Sequence, residues 1–292
     1  MNKYVIVIPS FNDWDCLDLL IPKIDECLKG QNVEISILIV NDASTIKNNL
    51  SFKNISFLKK IEVINLKNNV KAQIAIATGL NYLRKEQFEG GIIVMDGDGQ
   101  DNPKYILDII KETQKNPNKT IVLNRTKRED ELLFLIFYQI YLLISFFMTF
   151  KYLKYGVYTY LHSSSLDKAF STKDIYLAYP ASLAKHFKDK SIIYTQRKKR
   201  ILGNSKNSYI ALTYYALKII AVFKKQVLIN SSAFIFLSFL FSGLKIFSFI
   251  FLSVTLFLIV FNILIFSIAN RVDKLYKNEN ISSNIESIEK LI

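Results

Sequence analysis

Histidine and cysteine are scarce in this chain, with two of each in 292 residues. Cys16 and Cys27 fall in a stretch that reads as helix, and no Cys or His cluster has metal-ligand spacing. That argues against a zinc site and a disulfide scaffold and favours a reducing compartment. No internal repeat of useful period is present, which sets repeat architectures aside. The first apolar run, Tyr4–Ile8, is far shorter than a signal-peptide core. It is expected to be a buried strand.

Acidic residues are also few: 25 Asp and Glu face 38 Lys and Arg, for a formal net charge of +13. The imbalance is local. Residues 185–225 hold eleven Lys or Arg against one Asp. Anionic lipid headgroups and nucleic acid are the two partners such a belt suits. The apolar sequence directly after it favours lipid, so no nucleic-acid partner is expected. The length suits one catalytic domain of about 200 residues plus an appendage.

Charge is missing altogether from three long runs, 132–150, 226–244 and 246–270, with Lys245 alone between the last two. Each is long enough to cross a bilayer as helix. Lys224 and Lys225 precede the final pair, and Arg271 and Lys274 follow it. Positive flanks at both outer ends predict a two-span hairpin with both ends cytoplasmic. In the run 132–150, Tyr138, Gln139, Tyr141, Ser145 and Thr149 temper the apolarity. An amphipathic or re-entrant helix at the interface is expected there, with a third span as the alternative. The tail beyond Lys274 is polar and expected to be mobile.

The first 130 residues alternate between two periods. Strands are predicted at Tyr4–Ile8, Glu34–Val40, Ile61–Leu66, Gly91–Met95 and Thr120–Leu123. Helices are predicted at Leu17–Leu28, Val70–Leu83 and from Pro103 to about Thr113. This order predicts a mostly parallel α/β sheet. The polar clusters at 9–13, 41–45 and 96–101 all follow strands, so they should share the ligand-binding rim.

Asp96-Gly97-Asp98 is the strongest local signal. Two carboxylates after a strand can share a divalent ion with phosphates, and the glycines permit close approach. A solvated turn is the plainer reading. Asp42 suits a nucleoside contact or an ordinary turn. Arg125 and Arg128 suit phosphate forks or a surface salt-bridge cluster. Residues 200–206, with Arg200, Gly203, Ser205 and Lys206, suit a lipid phosphate or a generic headgroup patch.

In order, the segments VIVIPSFND, ILIVNDAS, LKNNVKAQIAIATGL, MDGDGQDNP, NRTKRED and RILGNSKN resemble the family 2 inverting glycosyltransferases. The similarity is to the polyprenyl-phosphate group, which includes dolichol-phosphate mannose synthases and bactoprenol glucosyltransferases. It covers about residues 3–270. It implies an α/β, GT-A-like fold with a mostly parallel sheet, interfacial helices and a C-terminal transmembrane hairpin. The implied divisions are a nucleotide-sugar core at 1–130, a membrane-proximal region at 131–225, two spans at 226–270 and a cytoplasmic tail at 271–292.

The resemblance also implies roles. Asp96, Asp98, Arg125 and Arg128 would be catalytic, with Asp98 on Mg²⁺ or Mn²⁺. Pro9, Asn12, Asp42, Lys71 and Asp96 would bind a nucleotide sugar, UDP-linked by preference or GDP-linked. Arg200, Ser205 and Lys206 would take the acceptor phosphate of a polyprenyl lipid. Anionic lipids and a homo-oligomer are further implied partners, and the inner membrane, with a cytoplasmic catalytic domain, the location. Two positions depart from the pattern. Val70 stands where the family usually has Gly. The stretch KYGVYTYL, with Lys154, Val157 and Thr159, lacks the acidic residue associated with the acceptor. Another lipid-linked or glycan acceptor, or a degenerate donor-binding subunit, is therefore the alternative.

Overall fold

The computed structural model describes residues 2–51, 55–126, 132–154, 156–203, 208–241, 248–275 and 282–292. The chain divides into two compact units. One comprises Met1–Arg128, Tyr155–Lys206 and Tyr276–Ile292, and the other Glu129–Lys154 and Asn207–Leu275.

The first unit opens with β1 (Asn2–Ser10), α1 (Trp14–Cys27), β2 (Val33–Asn41), β3 (Leu58–Leu66), α2 (Ala72–Lys85), β4 (Gly91–Val94), α3 (Tyr105–Lys115) and β5 (Thr120–Arg125). α4 (Leu132–Thr149) belongs to the second unit. The chain then returns with β6 (Thr159–His162), α5 (Leu166–Phe170), α6 (Asp174–Leu177), α7 (Tyr179–His186) and β7 (Lys190–Thr195). α8 (Tyr209–Ala221), α9 (Lys224–Phe241) and α10 (Ser248–Leu275) complete the second unit, and β8 (Ile285–Lys290) comes back to the first.

The eight strands form one sheet in the order β7-β5-β6-β4-β1-β2-β3-β8. β1, β2, β3 and β4 are parallel neighbours, as are β5 and β7. β6 runs antiparallel between β4 and β5, and β8 antiparallel to β3. β1 is buried from Tyr4 to Ser10. A strand covered on both faces needs a continuous apolar run, which is what YVIVI supplies. In α1, Leu17, Leu20, Ile21 and Ile24 recur at helical spacing and are fully buried. Each such side chain contributes roughly 1.5–3 kcal/mol. Buried Asp25 of α1 accepts from the backbone N–H groups of Ser56, Phe57 and Leu58 at 2.9, 2.8 and 2.7 Å. It thereby fixes the entry to β3. α2 lies close on the sheet at Gly79, where a Cβ would stand 2.8 Å from Val40.

In the second unit, Lys224 at the start of α9 pairs with Asp273 near the end of α10 at 3.3 Å. Asn230 donates to the Met148 carbonyl at 3.0 Å, tying α9 to α4. Among the described residues one helix, Phe249–Asp273, is long and apolar enough to cross a membrane, and of its apolar 18-residue stretch 22% is buried. Phe249, Leu252, Leu256, Val260 and Ile263 are exposed along it. Tyr209–Ala221 and Lys224–Leu240 meet the same test only as a pair, bent by 85°.

Three expectations change. Residues 155–206, expected in a membrane-proximal region, supply β6 and β7 to the sheet. The tail is not simply a mobile polar segment, because it ends as β8 on the β3 edge. Strand pairing satisfies backbone groups whatever the side chains, so a polar sequence can form an edge strand. The final helix runs on to Leu275 rather than ending at 270. Residues 242–247, where the hairpin turn was expected, lie outside the described residues.

Candidate active site

β1, β2, β4 and β5 end at Ser10, Asn41, Val94 and Arg125, and the loops after them form one rim. Asn12 braces the first two loops. Its Oδ1 accepts from the N–H groups of Thr45 and Ile46 at 2.8 and 3.1 Å, and its own N–H donates to Ser44 Oγ at 2.8 Å. It does so at φ 55°, a left-handed conformation that Asn tolerates.

Asp42 is buried and holds the start of α2. Its two carboxylate oxygens accept from the Val70 and Lys71 N–H groups at 2.7 and 2.8 Å. Asn69 donates to its carbonyl at 3.0 Å. Burial raises the Asp42 carboxyl to about 6, against those two hydrogen bonds and the Lys71 charge. Nearby, Ser10 Oγ and Asn69 Oδ1 are buried and lack partners among the described residues. Such atoms ask for a ligand or water.

The loop after β4 gathers three carboxylates. Asp101 Oδ2 accepts from the Asp96 N–H at 3.0 Å, and Asp98 Oδ1 from the Gln100 N–H at 3.0 Å. The segment after β7 folds over this loop. Lys198 N–H donates to the Gln100 carbonyl and Ile201 N–H to the Asp98 carbonyl, both at 3.0 Å. Gly99 permits this approach. Its φ is +76°, and a Cβ there would collide with Ile201. Arg200 bridges Asp98 at 3.2 Å and Asp13 in a short ion pair.

Arg125 lies 3.5 Å from Asp101 and 3.7 Å from Asp96. Burial raises the Asp96 carboxyl, and the charges of Asp101 and Asp98 push it further, against Arg125 and Arg197. Burial also raises Asp101, opposed chiefly by Arg125. Arg197 Nε is buried without a partner among the described residues. Burial and the like charge of Arg125 both disfavour its cation, although the three aspartates oppose this. An arriving anion would relieve that strain.

Carboxylate oxygens are hard donors suited to Mg²⁺ or Mn²⁺. Among the described residues no group of three His, Cys, Asp or Glu side chains could cage a metal.

Of the residues expected from sequence, Asp96, Asp98 and Arg125 come together on one rim loop set, with Arg200 drawn onto Asp98. Asp42 and Lys71 meet at the start of α2. Pro9 is buried within β1 opposite Val40. Arg128, Ser205 and Lys206 lie outside the described residues. Asp13, Asp101 and Arg197 join this cluster without being expected from sequence. Asp101 stood inside the DGDGQD motif. Arg197 lies three residues before Arg200 in a non-helical segment, within the basic belt expected to face lipid.

A family profile described as "Glycosyl transferase family 2" matches residues 5–175, more than half of the chain. The chain belongs to glycosyl transferase family 2. Among curated proteins, the chain is similar to the uncharacterised glycosyltransferase YkcC of Bacillus subtilis, 29% identical over 133 residues, which are 45% of this chain and 40% of that protein. The uncharacterised glycosyltransferase sll0501 of Synechocystis is 26% identical over 126 residues, 42% of this chain and 38% of that one. The match thus spans about two fifths of these relatives' length. Among solved structures, the glucosyl-3-phosphoglycerate synthase of Mycobacterium tuberculosis superposes with a TM-score of 0.52 at 10% identity, over 77% of this chain and 80% of that one. At that identity the likeness is one of GT-A-like fold, which the mostly parallel sheet shares.

Proposed function

We propose that this protein transfers a sugar from a nucleotide-sugar donor to the phosphate of a polyprenyl lipid at a membrane surface. The observation that carries the proposal is the rim on which Asp96, Asp98 and Asp101 meet Arg125, Arg197 and Arg200. Family membership supports transferase chemistry there. The mycobacterial synthase was crystallised with Mn²⁺ and UDP-glucose, which favours a UDP-sugar over a GDP-sugar. Mg²⁺ or Mn²⁺ would be held by Asp98, with Asp96 close by, and would neutralise the diphosphate. Arg125 and Arg197 add positive charge facing that group. Asp42, Lys71, Ser10 and Asn69 line the nucleoside end.

In the reaction an acceptor phosphate oxygen attacks the anomeric carbon from the face opposite the diphosphate. The bond from that carbon to the diphosphate oxygen breaks, and the nucleoside diphosphate departs with the electron pair. A phosphate acceptor is already ionised near neutral pH and needs little help from a base. That suits the 154–159 stretch, where Thr159 is buried and bonded to Tyr179 at 2.7 Å and Val157 carries no acid. Arg200, Ser205, Lys206 and Arg128 would serve the acceptor and the phosphates.

The second unit would hold the protein in the inner membrane, with α9 and α10 as a two-span hairpin and α4 at the interface. Three features support this. The exposed stripe of α10 suits lipid. The Lys224–Asp273 pair keeps the charged outer ends of α9 and α10 together. Both excursions into the apolar unit begin and end in the α/β unit, as an even number of crossings requires. Anionic lipids would attract the basic belt by about 1 kcal/mol per near-surface charge.

The test is nucleoside diphosphate release by the full chain from a panel of UDP- and GDP-sugars, with and without undecaprenyl phosphate. Acceptor-dependent, metal-dependent release supports the proposal. Release only with another glycan or lipid acceptor, giving an acid-stable product, would replace it with the alternative acceptor.

A further inference from the structure

A polar row crosses four strands at the rim. Ser10 of β1 pairs in register with Asn41 of β2, Asn41 with Asn65 of β3, and Asn65 with Ser287 of β8. Side chains follow the same line. Asn41 donates to Asn65 Oδ1 at 2.8 Å, and Asn65 donates to Ser287 Oγ at 3.0 Å and Glu289 Oε1 at 2.7 Å. At the other end, Asn41 Oδ1 accepts from the Ser44 N–H in the loop that carries Asp42.

The loop between β3 and α2 is held from both sides. From the tail, the Asn284 carbonyl accepts from the Lys67 N–H at 2.9 Å, the Ser283 carbonyl from Lys67 Nζ at 2.9 Å, and Asn284 Oδ1 from Asn68 Nδ2 at 3.3 Å. Ser282 Oγ accepts from Lys85 of α2 at 2.7 Å. On the other side, Asp42 grips Val70 and Lys71, and Asn69 reaches back to Asp42. This loop has no glycine at position 70 and places Lys71 at φ 70° and ψ 157°, a positive-φ region that glycine favours. An L-residue adopts that conformation at a cost, so something must hold it. β8 itself is largely exposed and adds little burial. Its polar contacts converge on residues 65–68.

We propose that the C-terminal strand is a positioning element for the nucleoside of the donor. Ser287, Glu289 and Asn284 fix Asn65 and the 67–71 loop, which presents Asp42, Asn69 and Lys71 to the base and ribose. None of the three touches the donor. The inference rests on the donor reading above and extends it to a segment that lies beyond the last membrane helix.

The test is calorimetric titration of UDP and of GDP, with Mg²⁺, into the full chain in detergent. The double variant Ser287→Ala with Glu289→Ala keeps the backbone ladder and removes both acceptors of Asn65. Releasing Asn65 predicts a dissociation constant raised about tenfold because the donor loop is less preorganised, a thermal midpoint lowered by a few degrees at most, and unchanged turnover at saturating donor. Ser287→Thr with Glu289→Gln keeps both acceptors and restores affinity. A chain ending at Leu275 loses affinity further, and a synthetic peptide of residues 282–292 restores it by strand addition. Equal affinity in the wild-type, double-variant and shortened chains overturns the proposal, as does lost turnover at saturation with affinity intact. Failure of the intact chain to bind either nucleotide instead overturns the donor reading, and this inference with it.

Discussion

Replacing Asp98 by Asn separates charge from shape at the centre of the rim. Asn keeps an oxygen for the Gln100 N–H, now 3.0 Å from Asp98 Oδ1, so the loop should hold its form. The lost partner is Arg200, 3.2 Å away. Unit charges at that distance attract by roughly 5 kcal/mol at an effective dielectric of about 20. Arg200 retains its pair with Asp13, so its charge is not stranded. The net cost to stability is then about 1 kcal/mol, far below what breaking a lone buried pair costs. Catalysis is affected differently. The wild-type carboxylate would share a cation with the leaving diphosphate, and its loss removes electrostatic help at the step where charge develops. A turnover loss of roughly 10²–10⁴-fold is expected. The assay is initial rate at saturating donor and Mn²⁺, beside a thermal melt. Activity within tenfold of wild type would refute the role given to Asp98. A collapse of the melt would show instead that the carboxylate is structural.

Three other perturbations test separate parts of the account. Burial holds the folded Asp42 carboxyl at about 6, above the ordinary aspartate value of about 3.9, so the fold favours the protonated form; that stability is present below pH 4 and lost as pH rises through about 6. Asp42→Asn should lower the melting point overall and flatten this decline, and a wild-type melt that rises between pH 4 and 6 with the same slope in the variant would contradict it. Asp25→Ala strands three backbone N–H groups and should cost roughly 2–4 kcal/mol in denaturant unfolding, whereas a cost under 1 kcal/mol would mean water replaces the carboxylate. Single cysteines at Ser171 and Ser208, in a chain lacking Cys16 and Cys27, should resist an impermeant thiol reagent in intact cells; labelling of both without lysis would overturn the two-span arrangement.

Much of the α/β unit is legible in the sequence because its central strands are buried on both faces. YVIVI, ILIV and GIIV announce themselves as strands, and the polar clusters behind them mark the rim. β8 is not legible, since an exposed edge strand needs no apolar pattern. β6 and β7 are obscured for another reason: the strongly apolar α4 precedes them and gives the whole stretch a membrane-like composition. At the site, DGD points to Asp96 and Asp98 locally. The partnership of Arg200 with Asp13 and Asp98 spans 187 and 102 positions and is fixed by tertiary folding alone. Asn12 likewise braces two loops through Thr45 and Ile46, 33 and 34 positions away, contacts that no local pattern shows.

The central claim is that a sugar moves from a nucleotide to a lipid phosphate. Mass spectrometry of the lipid extract, after the full chain meets a UDP-sugar panel, Mn²⁺ and undecaprenyl phosphate, measures it directly. The account predicts a lipid heavier by one anhydro-sugar unit, split by mild acid, formed by wild type and nearly absent with Asp98→Asn. An unaltered lipid across every UDP- and GDP-sugar, from protein shown to be folded and to bind nucleotide, would contradict it.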